Sequence, residues 1–421
     1  MTDFLSELSW RGLLYQQTEG AAEHFSAGAV SGYCGFDPTA SSLHVGNLVP
    51  IMGLVHLQRA GHRPVALVGG GTGMIGDPSG KATERQLLGV DEIDANVAGI
   101  REQLGRFLDF SGDHGARLVD NGEWLRSLRA IDFMRDVGKH FTVNLMMQKD
   151  SVKSRLEGGI SYTEFSYMLL QAYDFLELNR RYGVTAQVGG SDQWGNITAG
   201  TELIRRTVQK EAHGVTLPLV TTSAGTKFGK TEAGAVWLDA ARTSPFKFYQ
   251  FWVNADDADA VKFLKMFTLL APEEVAALSA ALTAAPHERA AQRRLAAEVT
   301  GLVHGAPAAA LAERVSKVIF DRRIDARDLP AEVFVTLVDE IPCARFAGES
   351  AISVLDALEQ AFGLSRTAAR KLLQQGAVSV NGEKLSADAP AIDLAGAVHG
   401  RWFLLRKGAR DVAVVAVDDS R

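Results

Sequence analysis

The chain has 421 residues, enough for two or three domains, because a single hydrophobic core stops growing at roughly 250–300 residues. Its composition, 46% hydrophobic and 22% charged, disfavours disordered and fibrous architectures. No apolar run approaches the roughly 20 residues of a membrane span, and the N-terminal residues lack the basic region of a secretory signal. The two cysteines, Cys34 and Cys343, are too few for a disulfide framework or a zinc site. We therefore expect a cytoplasmic protein without a bound metal.

The net charge of −6 is distributed unevenly along the chain. Residues 351–410 hold eight lysines and arginines against five acidic residues, a balance of +3, whereas the rest of the chain sums to −9. A local excess of positive charge in an acidic protein is typical of a segment that contacts a polyanion. We therefore expect the C-terminal part of the chain to face a polyanion.

Strands and helices alternate in the first half of the chain. The pattern predicts strands over 32–36, 64–68, 117–120 and 184–188, with helical stretches between them. Strands that are separated by helices form parallel sheets. We therefore predict an α/β domain over residues 1–222, with a doubly wound, Rossmann-like parallel sheet.

The rest of the chain divides into three parts. Residues 223–320 contain a glycine-bearing loop and then become almost wholly helical, which predicts an all-α domain. Residues 321–349 are less patterned and contain two prolines, so we predict a linker there. In residues 350–421, Ser365 is placed to cap a short helix, and Asn381-Gly382 is placed to form a hairpin turn. This last part predicts a small α+β module.

Two phosphate-binding motifs are present in incomplete form. Residues 71–76 match the glycine pattern of a dinucleotide fingerprint, but turn residues 77–80 follow where that fingerprint must open a helix. Residues 229–231 resemble the end of a P-loop, but Ala224 stands where its first glycine would be. A dehydrogenase and a P-loop nucleotidase are therefore disfavoured.

A more informative pattern begins where the first predicted strand ends. Asp37 and Thr39 lie in a polar turn, and His44-Val-Gly46-Asn47 starts a helix. The free N–H groups and the positive dipole end of a helix start favour an anion. His44 can donate to a phosphate, and Gly46 lets a planar base approach the backbone. Taken alone, the same residues would equally suit a simple helix cap.

The glycine-bearing loop places Lys227 and Lys230 three positions apart. Two ammonium groups on a loop suit the charge that develops on a triphosphate attacked at its α-phosphorus, although a solvated surface loop has the same composition. Together, residues 44–47 and residues 227–231 resemble the two signature sequences of class I aminoacyl-tRNA synthetases. We call them the first and second signature segments.

The resemblance extends over most of the chain and narrows to one family. Segments 32–40, 76–81, 167–174 and 189–194, together with the second signature segment, resemble those of bacterial tyrosyl-tRNA synthetases, in the same order. The chain departs from the class I signatures in two places. Asn47 stands where a second histidine would be, and Phe228-Gly229 replace Met-Ser. Pro50, close to the first signature segment, cannot donate a backbone hydrogen bond to a ligand.

The resemblance implies an activity and an assembly. It implies a homodimeric ligase that activates L-tyrosine with Mg-ATP, releases pyrophosphate and esterifies the 3′ end of its tRNA, without an organic cofactor. Residues 1–222 would bind nucleotide and tyrosine, residues 223–320 would carry the lysine loop and an anticodon-side helical domain, and residues 350–421 would bind RNA. A tryptophanyl-tRNA synthetase and an inactive RNA-binding paralogue are the alternatives.

One predicted helix carries a polar face. Tyr167, Gln171 and Asp174 recur at i, i+4 and i+7 on an otherwise apolar helix, and a buried polar face needs partners. Alternatively, Tyr167 packs in a core while Gln171 and Asp174 face water. The resemblance implies that Asp174 and Tyr33 contact the phenolic hydroxyl of the substrate. It implies a full tyrosine-binding set of Tyr33, Asp77, Tyr167, Gln171, Asp174 and Gln193.

The resemblance also implies the residues that bind the other substrates. The ATP-binding set would be Cys34, Gly35, Asp37, His44, Gly46, Asn47, Gly190, Asp192 and Lys230. The catalytic set, which would stabilise charge on the phosphates, would be Thr39, His44, Lys81, Arg85, Lys227 and Lys230. On one short C-terminal helix, Arg366, Arg370 and Lys371 form a basic face. This face resembles that of a small RNA-binding fold named after a ribosomal small-subunit protein, which implies that these residues contact tRNA. A solvated helix face has the same composition.

Overall fold

The structure, a computed structural model, describes residues 3–79, 88–153, 158–226, 228–231, 234–347, 351–387, 389–408 and 410–418. Three predicted site residues, Lys81, Arg85 and Lys227, lie outside these ranges. The chain divides into two compact units, the first formed by Met1–Ser244 with Phe251–Val303 and the second by Pro245–Gln250 with His304–Arg421. None of the helices within the described ranges combines the length and the apolar character that a bilayer crossing requires.

The described residues form the following strands and α-helices, which alternate in the first part of the chain. The strands are β1 (Gln16–Gln17), β2 (Ser31–Phe36), β3 (Arg63–Val68), β4 (Arg117–Asp120), β5 (Ala186–Gly190), β6 (His213–Leu217), β7 (Lys230–Thr231), β8 (Gly234–Ala235), β9 (Cys343–Ala347), β10 (Ala351–Ser353), β11 (Val378–Val380), β12 (Glu383–Lys384), β13 (Ala391–Asp393), β14 (Trp402–Lys407) and β15 (Asp411–Asp418). The α-helices are α1 (Phe4–Arg11), α2 (Ala21–Ser26), α3 (Leu48–Arg59), α4 (Val90–Leu104), α5 (Gly122–Leu125), α6 (Ala130–Asp136), α7 (Val143–Met147), α8 (Asp150–Lys153), α9 (Tyr162–Tyr182), α10 (Trp194–Val208), α11 (Pro245–Val253), α12 (Asp257–Phe267), α13 (Pro272–Ala284), α14 (Ala290–His304), α15 (Ala306–Phe320), α16 (Ala331–Glu340), α17 (Val354–Phe362) and α18 (Arg366–Gln374).

The first unit is built on a six-stranded sheet with the order β1-β6-β5-β2-β3-β4. All neighbouring strands are parallel except β1, which pairs antiparallel with β6. The predicted doubly wound α/β fold is therefore confirmed. The chain runs outward from β2 through β3 to β4 and then returns to the other side of β2 as β5. Ligands of such sheets bind at this reversal, outside the carboxyl ends of the strands.

The long helix α9 supplies one wall of the crevice at the reversal. It begins at the cap residue Ser161, whose side chain accepts a hydrogen bond from the backbone N–H of Glu164. It ends at Gly183, whose φ of 64° is a left-handed conformation that glycine adopts without strain. Its apolar face packs into the core of the first unit, where Phe175 and Leu178 are fully buried. The same helix carries the predicted polar face.

The helical residues after the sheet do not form a domain of their own. Helix α12 packs with α1 in the first unit, and Arg11 at the end of α1 is the link. This buried guanidinium donates to the carbonyl oxygens of Lys265, Thr268 and Leu270, at 2.9, 2.7 and 3.1 Å. The last carbonyl groups of a helix have no partner within the helix, so Arg11 caps α12. The predicted separate helical domain over 223–320 is therefore divided between the two units.

The second unit contains a five-stranded sheet with the order β12-β11-β14-β15-β9, and β10 pairs separately with β13. The predicted linker over 321–349 is wrong as a structural description. This stretch contains α16, whose residues Val333, Phe334 and Leu337 are buried, and strand β9 at the edge of the sheet. The apolar spacing of these three residues is that of a helix packed on a core.

The predicted C-terminal details are present. Ser365 caps α18 by accepting a hydrogen bond from the backbone N–H of Ala368 at 3.3 Å. Asn381 and Gly382 connect β11 to β12, and both have positive φ, 49° and 91°. A two-residue hairpin turn with positive φ at both positions matches the twist of the two strands it joins. The second unit therefore contains a small α+β module whose sheet includes β9, which lies before the predicted start at residue 350, and packed helices precede it.

Candidate functional site

A cavity of about 680 Å³ lies at the carboxyl ends of β2 and β5, at the reversal of strand order. Fifteen of the predicted site residues line it: Tyr33, Cys34, Gly35, Asp37, Thr39, His44, Gly46, Asn47, Asp77, Tyr167, Gln171, Asp174, Gly190, Asp192 and Gln193. Lys230 is described only through its backbone, which pairs with Ala235 in the hairpin of β7 and β8. The structure thus brings together segments that lie more than a hundred residues apart in the sequence.

Tyr33 and Asp174 form the buried part of the cavity wall. Their exposed fractions are 0% and 1%. Burial raises the pKa of Asp174 to about 8, and burial together with the charge of Asp174 raises the pKa of Tyr33 well above its usual value. The Tyr33 hydroxyl has no hydrogen-bond partner among the described residues. A buried hydroxyl without a partner, next to a buried carboxyl, fits a ligand that brings its own hydroxyl group.

Two residues that the sequence analysis missed hold the carboxyl of Asp174. Asn121 Nδ2 donates to Oδ2 at 2.8 Å, and Trp124 Nε1 donates to Oδ1 at 2.7 Å. Both follow β4, whose carboxyl end lies at the same edge of the sheet as the ends of β2 and β5. A polar residue directly after a predicted parallel strand is the signal that could have found Asn121. The position of Asp174 is therefore fixed before any ligand binds.

Hydrogen bonds connect this buried end to the middle of the cavity. Asn121 Nδ2 also donates to Thr72 Oγ1 at 2.9 Å, and Thr72 Oγ1 donates to Asp37 Oδ1 at 3.1 Å. The Tyr167 hydroxyl donates to the other oxygen of Asp37 at 3.2 Å. Tyr167 and Asp37, predicted for different substrates, are thus direct partners. The predicted tyrosine-binding and ATP-binding sets adjoin each other here.

The alternative in which Gln171 and Asp174 face water is wrong for Asp174, because only 1% of this residue is exposed. Gln171 is half-buried, and its Nε2 donates to Gln193 Oε1 at 3.2 Å. The polar face of α9 is therefore directed into the cavity, where its partners are other polar side chains.

A second polar cluster lies beside β5. Gln193 Nε2 donates to Asp77 Oδ2 at 2.6 Å. Asn196, which is buried and was not predicted, donates to Gln171 Oε1 and to Gln193 Oε1, both at 3.1 Å. Asn196 lies one helical turn after Gln193, so the two side chains meet on one face of the chain. The cluster presents carboxylate and amide oxygens that can accept from an ammonium group.

The first signature segment is a 3-10 turn, Val45–Asn47, that leads into α3. The backbone N–H of Gly46 donates to His44 Nδ1 at 3.0 Å, so in the neutral imidazole the ring proton is on Nε2. A Cβ at Gly46 would lie 2.8 Å from His44 Cε1, so only glycine leaves room for the ring. Asn47 Oδ1 accepts from the His44 backbone N–H at 3.0 Å. Asn47 therefore caps the turn and keeps its amide N–H groups as donors.

The described part of the second signature segment packs against the first. Phe228 is buried and stacks on Phe267 with ring centroids 5.1 Å apart. Gly229 has a φ of +81°, and a Cβ there would lie 2.5 Å from Val45 Cγ2. The departure from Met-Ser thus has two local reasons: an aromatic side chain fills an aromatic pocket, and glycine permits a close approach.

The sequence also predicts that Cys34 contacts ATP and that the chain holds no bound metal. Burial raises the pKa of Cys34 to about 12, so the thiol that lines the cavity stays protonated and is a poor nucleophile. Within the part of the chain that the structure describes, no group of three or more histidine, cysteine, aspartate or glutamate side chains could hold a metal ion.

The predicted RNA-contacting residues lie on α18 in the second unit. Ala369 and Leu373 face the core, whereas Arg370 and Lys371 are exposed to solvent. Arg366 forms ion pairs with acidic residues of α17, at 2.5 Å to Asp356 and 3.7 Å to Glu359. Arg370 and Lys371 are therefore better placed than Arg366 to meet a phosphate.

Comparisons with known proteins identify the family of the chain. The family model of class I tRNA synthetases for tryptophan and tyrosine matches residues 26–321, and the model of the tyrosine–tRNA ligase SYY-like C-terminal domain matches residues 334–415. A tyrosine–tRNA ligase from Anaeromyxobacter dehalogenans strain 2CP-1 is 50% identical over 420 residues, covering 99% of this chain and 100% of that one. One from Geobacillus stearothermophilus is 50% identical over 410 residues, covering 96% and 97%.

Solved structures of tRNA synthetases are also similar to this chain. A C-terminally truncated mitochondrial tyrosyl-tRNA synthetase from Coccidioides posadasii has a TM-score of 0.65 and 32% identity, covering 75% of this chain and 92% of that one. A tryptophanyl-tRNA synthetase from Encephalitozoon cuniculi has a TM-score of 0.52 and 12% identity, covering 73% and 87%, and shares the fold alone.

The raised pKa of Asp174 predicts a specific dependence of stability on pH. A carboxyl whose folded pKa lies near 8 holds its proton in the folded protein while the unfolded chain has lost it. Wild type should therefore lose stability relative to Asp174→Asn as pH rises from about 4 to about 8. Urea unfolding of both proteins at pH 5 and pH 7.5, without ligand, measures this difference. A difference in unfolding free energy that does not change with pH would contradict the assignment.

Proposed function

Because the chain belongs to the class I tRNA synthetases, and within them to the tyrosine–tRNA ligases, we propose that its cavity activates L-tyrosine with ATP and transfers it to tRNA. The observation that carries the choice of amino acid is the buried pair of Tyr33 and Asp174, whose pKa values are both raised by burial. The phenolic hydroxyl of tyrosine can donate to Asp174 and accept from Tyr33. A side chain without a hydroxyl would leave both groups buried without this partner, which is costly.

The rest of the amino acid is proposed to lie along the polar cluster beside β5. Its ammonium group would donate to Asp77 and Gln171 and contact Tyr167, and Gln193 would contact its carboxyl region. The supporting observation is that Gln171, Gln193 and Asp77 already form one hydrogen-bonded chain. Asn196 holds two of these side chains in place, so they need little ordering when tyrosine binds.

Activation is proposed to be a displacement at phosphorus without a covalent enzyme intermediate. A carboxylate oxygen of tyrosine attacks the α-phosphorus of ATP, which enters as its magnesium complex, and the bond to pyrophosphate breaks. A hydroxyl of the 3′-terminal adenosine of tRNA then attacks the tyrosyl carbonyl, and AMP leaves. The enzyme holds the reactants in position and stabilises the charge that develops.

The phosphate side of the cavity is proposed to be formed by both signature segments. His44 would donate through Nε2, since Nδ1 accepts from Gly46. The other proposed catalytic residues are Thr39, Lys81, Arg85, Lys227 and Lys230. The adenosine part of ATP would contact the set formed by Cys34, Gly35, Asp37, Gly46, Asn47, Gly190 and Asp192, all of which line the cavity.

The choice of tyrosine predicts the effect of two substitutions. Asp174→Ala should lower tyrosine activation steeply and phenylalanine activation little, because phenylalanine has no hydroxyl for the acceptor. Tyr33→Phe should also lower the ratio of tyrosine to phenylalanine activation, by a factor that corresponds to about 0.5–1.5 kcal/mol, since it deletes one neutral hydrogen bond. The measurement is the activation rate of both amino acids with each variant. Glu102→Ala, which removes an exposed carboxylate paired with Arg106, is the matched control. An unchanged tyrosine-to-phenylalanine ratio in Asp174→Ala would contradict the proposal.

We further propose that two copies of the chain form a homodimer. Large apolar side chains that are exposed to solvent are concentrated between residues 131 and 162. They are Ile131, Met134, Val143, Leu145, Met147 and Tyr162, with Ile131 75% and Tyr162 71% exposed. A concentration of this kind in a soluble enzyme is typical of an oligomer interface. A second copy of the chain is the occupant we propose.

The proposed dimer predicts that charge in this region separates the subunits. Met134→Asp combined with Tyr162→Asp should give a monomer in light scattering coupled to size-exclusion chromatography, because the interface would have to bury two carboxylates from each subunit. Val90→Asp, at an exposed valine outside the region, is the control and should leave the mass unchanged. A variant with the same mass as wild type would show that the subunits do not meet here.

The second unit is proposed to bind tRNA through the exposed basic residues of α18, in the cytoplasm where charged tRNA is used. Arg370→Ala should weaken tRNA binding and reduce the slope of log affinity against log salt by about one unit, because one phosphate contact is lost. Tyrosine activation should be unchanged. The control is Arg345→Ala, an exposed arginine of β9 that is paired with Asp418. Equal salt slopes for Arg370→Ala and wild type would exclude this contact.

A further inference from the structure

The chain that follows the second signature segment is hydrogen-bonded to the first signature segment. The backbone N–H of Val45 donates to the carbonyl oxygen of Val236 at 2.9 Å, and that of Leu238 donates to Leu43 at 2.8 Å. Between these two bonds, His44 and Trp237 face each other as an antiparallel bridge. The backbone of His44 is therefore held by the segment on which Trp237 lies.

The side chains of the bridged pair are also in contact. The imidazole of His44 and the indole of Trp237 lie edge to face, with centroids 6.2 Å apart and an interplanar angle of 65°. The guanidinium carbon of Arg242 lies 3.4 Å from the centroid of the Trp237 ring. The backbone N–H of Trp237 donates to Thr243 Oγ1 at 3.0 Å. Trp237 is thus a ring held by its own neighbours and placed beside His44.

Two contacts therefore restrict the His44 imidazole. The hydrogen bond from Gly46 fixes which nitrogen carries the proton, and the indole limits how far the ring can tilt. Trp237 is not among the residues that line the cavity, whereas His44 is. Any effect of Trp237 on the reaction must therefore pass through a neighbour. One of the residues it contacts, His44, is the proposed phosphate donor.

We propose that Trp237 is a positioning residue for adenylate formation, in which its indole, held by Arg242, sets the orientation of the His44 imidazole toward the triphosphate. This inference rests on the proposed function of the cavity. A small misplacement of a donor lowers the rate of the chemical step without weakening the binding of a substrate it does not touch. Trp237 should therefore affect adenylate formation and leave tyrosine binding unchanged.

The test is a double-mutant cycle with Trp237→Leu and His44→Ala, read by single-turnover adenylate formation and by tyrosine binding. Trp237→Leu should slow adenylate formation about tenfold when it is introduced into the wild-type protein. It should slow the reaction less than twofold when it is introduced into the His44→Ala variant. Tyrosine affinity should be the same in all four proteins. Trp237→Phe, which keeps an aromatic ring, should restore the rate to within about threefold of wild type. Equal losses in both backgrounds would overturn the proposal.

Trp10→Leu is the matched control, because Trp10 also has a guanidinium over its ring, that of Arg11 at 4.8 Å, and does not line the cavity. Its adenylate formation should equal that of wild type, and a tenfold loss there would attribute the Trp237 effect to general destabilisation. Tyrosine-dependent pyrophosphate exchange by the unmodified protein reports on the proposed function separately. If the unmodified protein catalyses exchange but Trp237→Leu slows adenylate formation equally in both backgrounds, the positioning role of Trp237 is contradicted and the proposed function is not.

Discussion

The buried carboxyl of Asp174 is the constraint around which the cavity is organised. A carboxyl that is removed from water must be hydrogen-bonded, and here Asn121 and Trp124 supply one donor to each oxygen. Asn121 in turn bonds Thr72, which bonds Asp37, so the same network reaches the middle of the cavity. Polar groups that are fixed in this way need little rearrangement when a ligand arrives, which favours selectivity.

The topology of the sheet makes this network possible. Parallel strands end at one edge, and the reversal of strand order between β2 and β5 opens a crevice there. Tyr33 lies on β2 and Asp37 directly follows it. Asn121 follows β4, and Gln193 follows β5. The two signature segments meet at the same edge, where Gly229 packs on Val45. The proposed tyrosine-binding and ATP-binding residues therefore adjoin each other in one cavity.

Much of this arrangement was predictable from the sequence. The i, i+4, i+7 spacing that ends at Asp174 predicted a polar helix face, and hydrophobic runs predicted β2 to β5. Strand β1 was not predicted, because two glutamines carry no periodic signal. Asn196 was not predicted either, since a single buried asparagine has no pattern of its own. Arg11 links α12 to α1 within the first unit, and its partners are backbone carbonyl groups that no sequence pattern marks.

Selection of tyrosine by the buried pair of Tyr33 and Asp174 is tested most directly by amino-acid-dependent exchange of pyrophosphate into ATP by the unmodified full-length protein. The exchange rate is measured with tyrosine, phenylalanine and tryptophan offered separately at equal concentration. We expect rapid exchange with tyrosine and very little with the other two amino acids, because only tyrosine brings a phenolic hydroxyl to Tyr33 and Asp174. Exchange that is faster with tryptophan, or absent with all three amino acids, would contradict it.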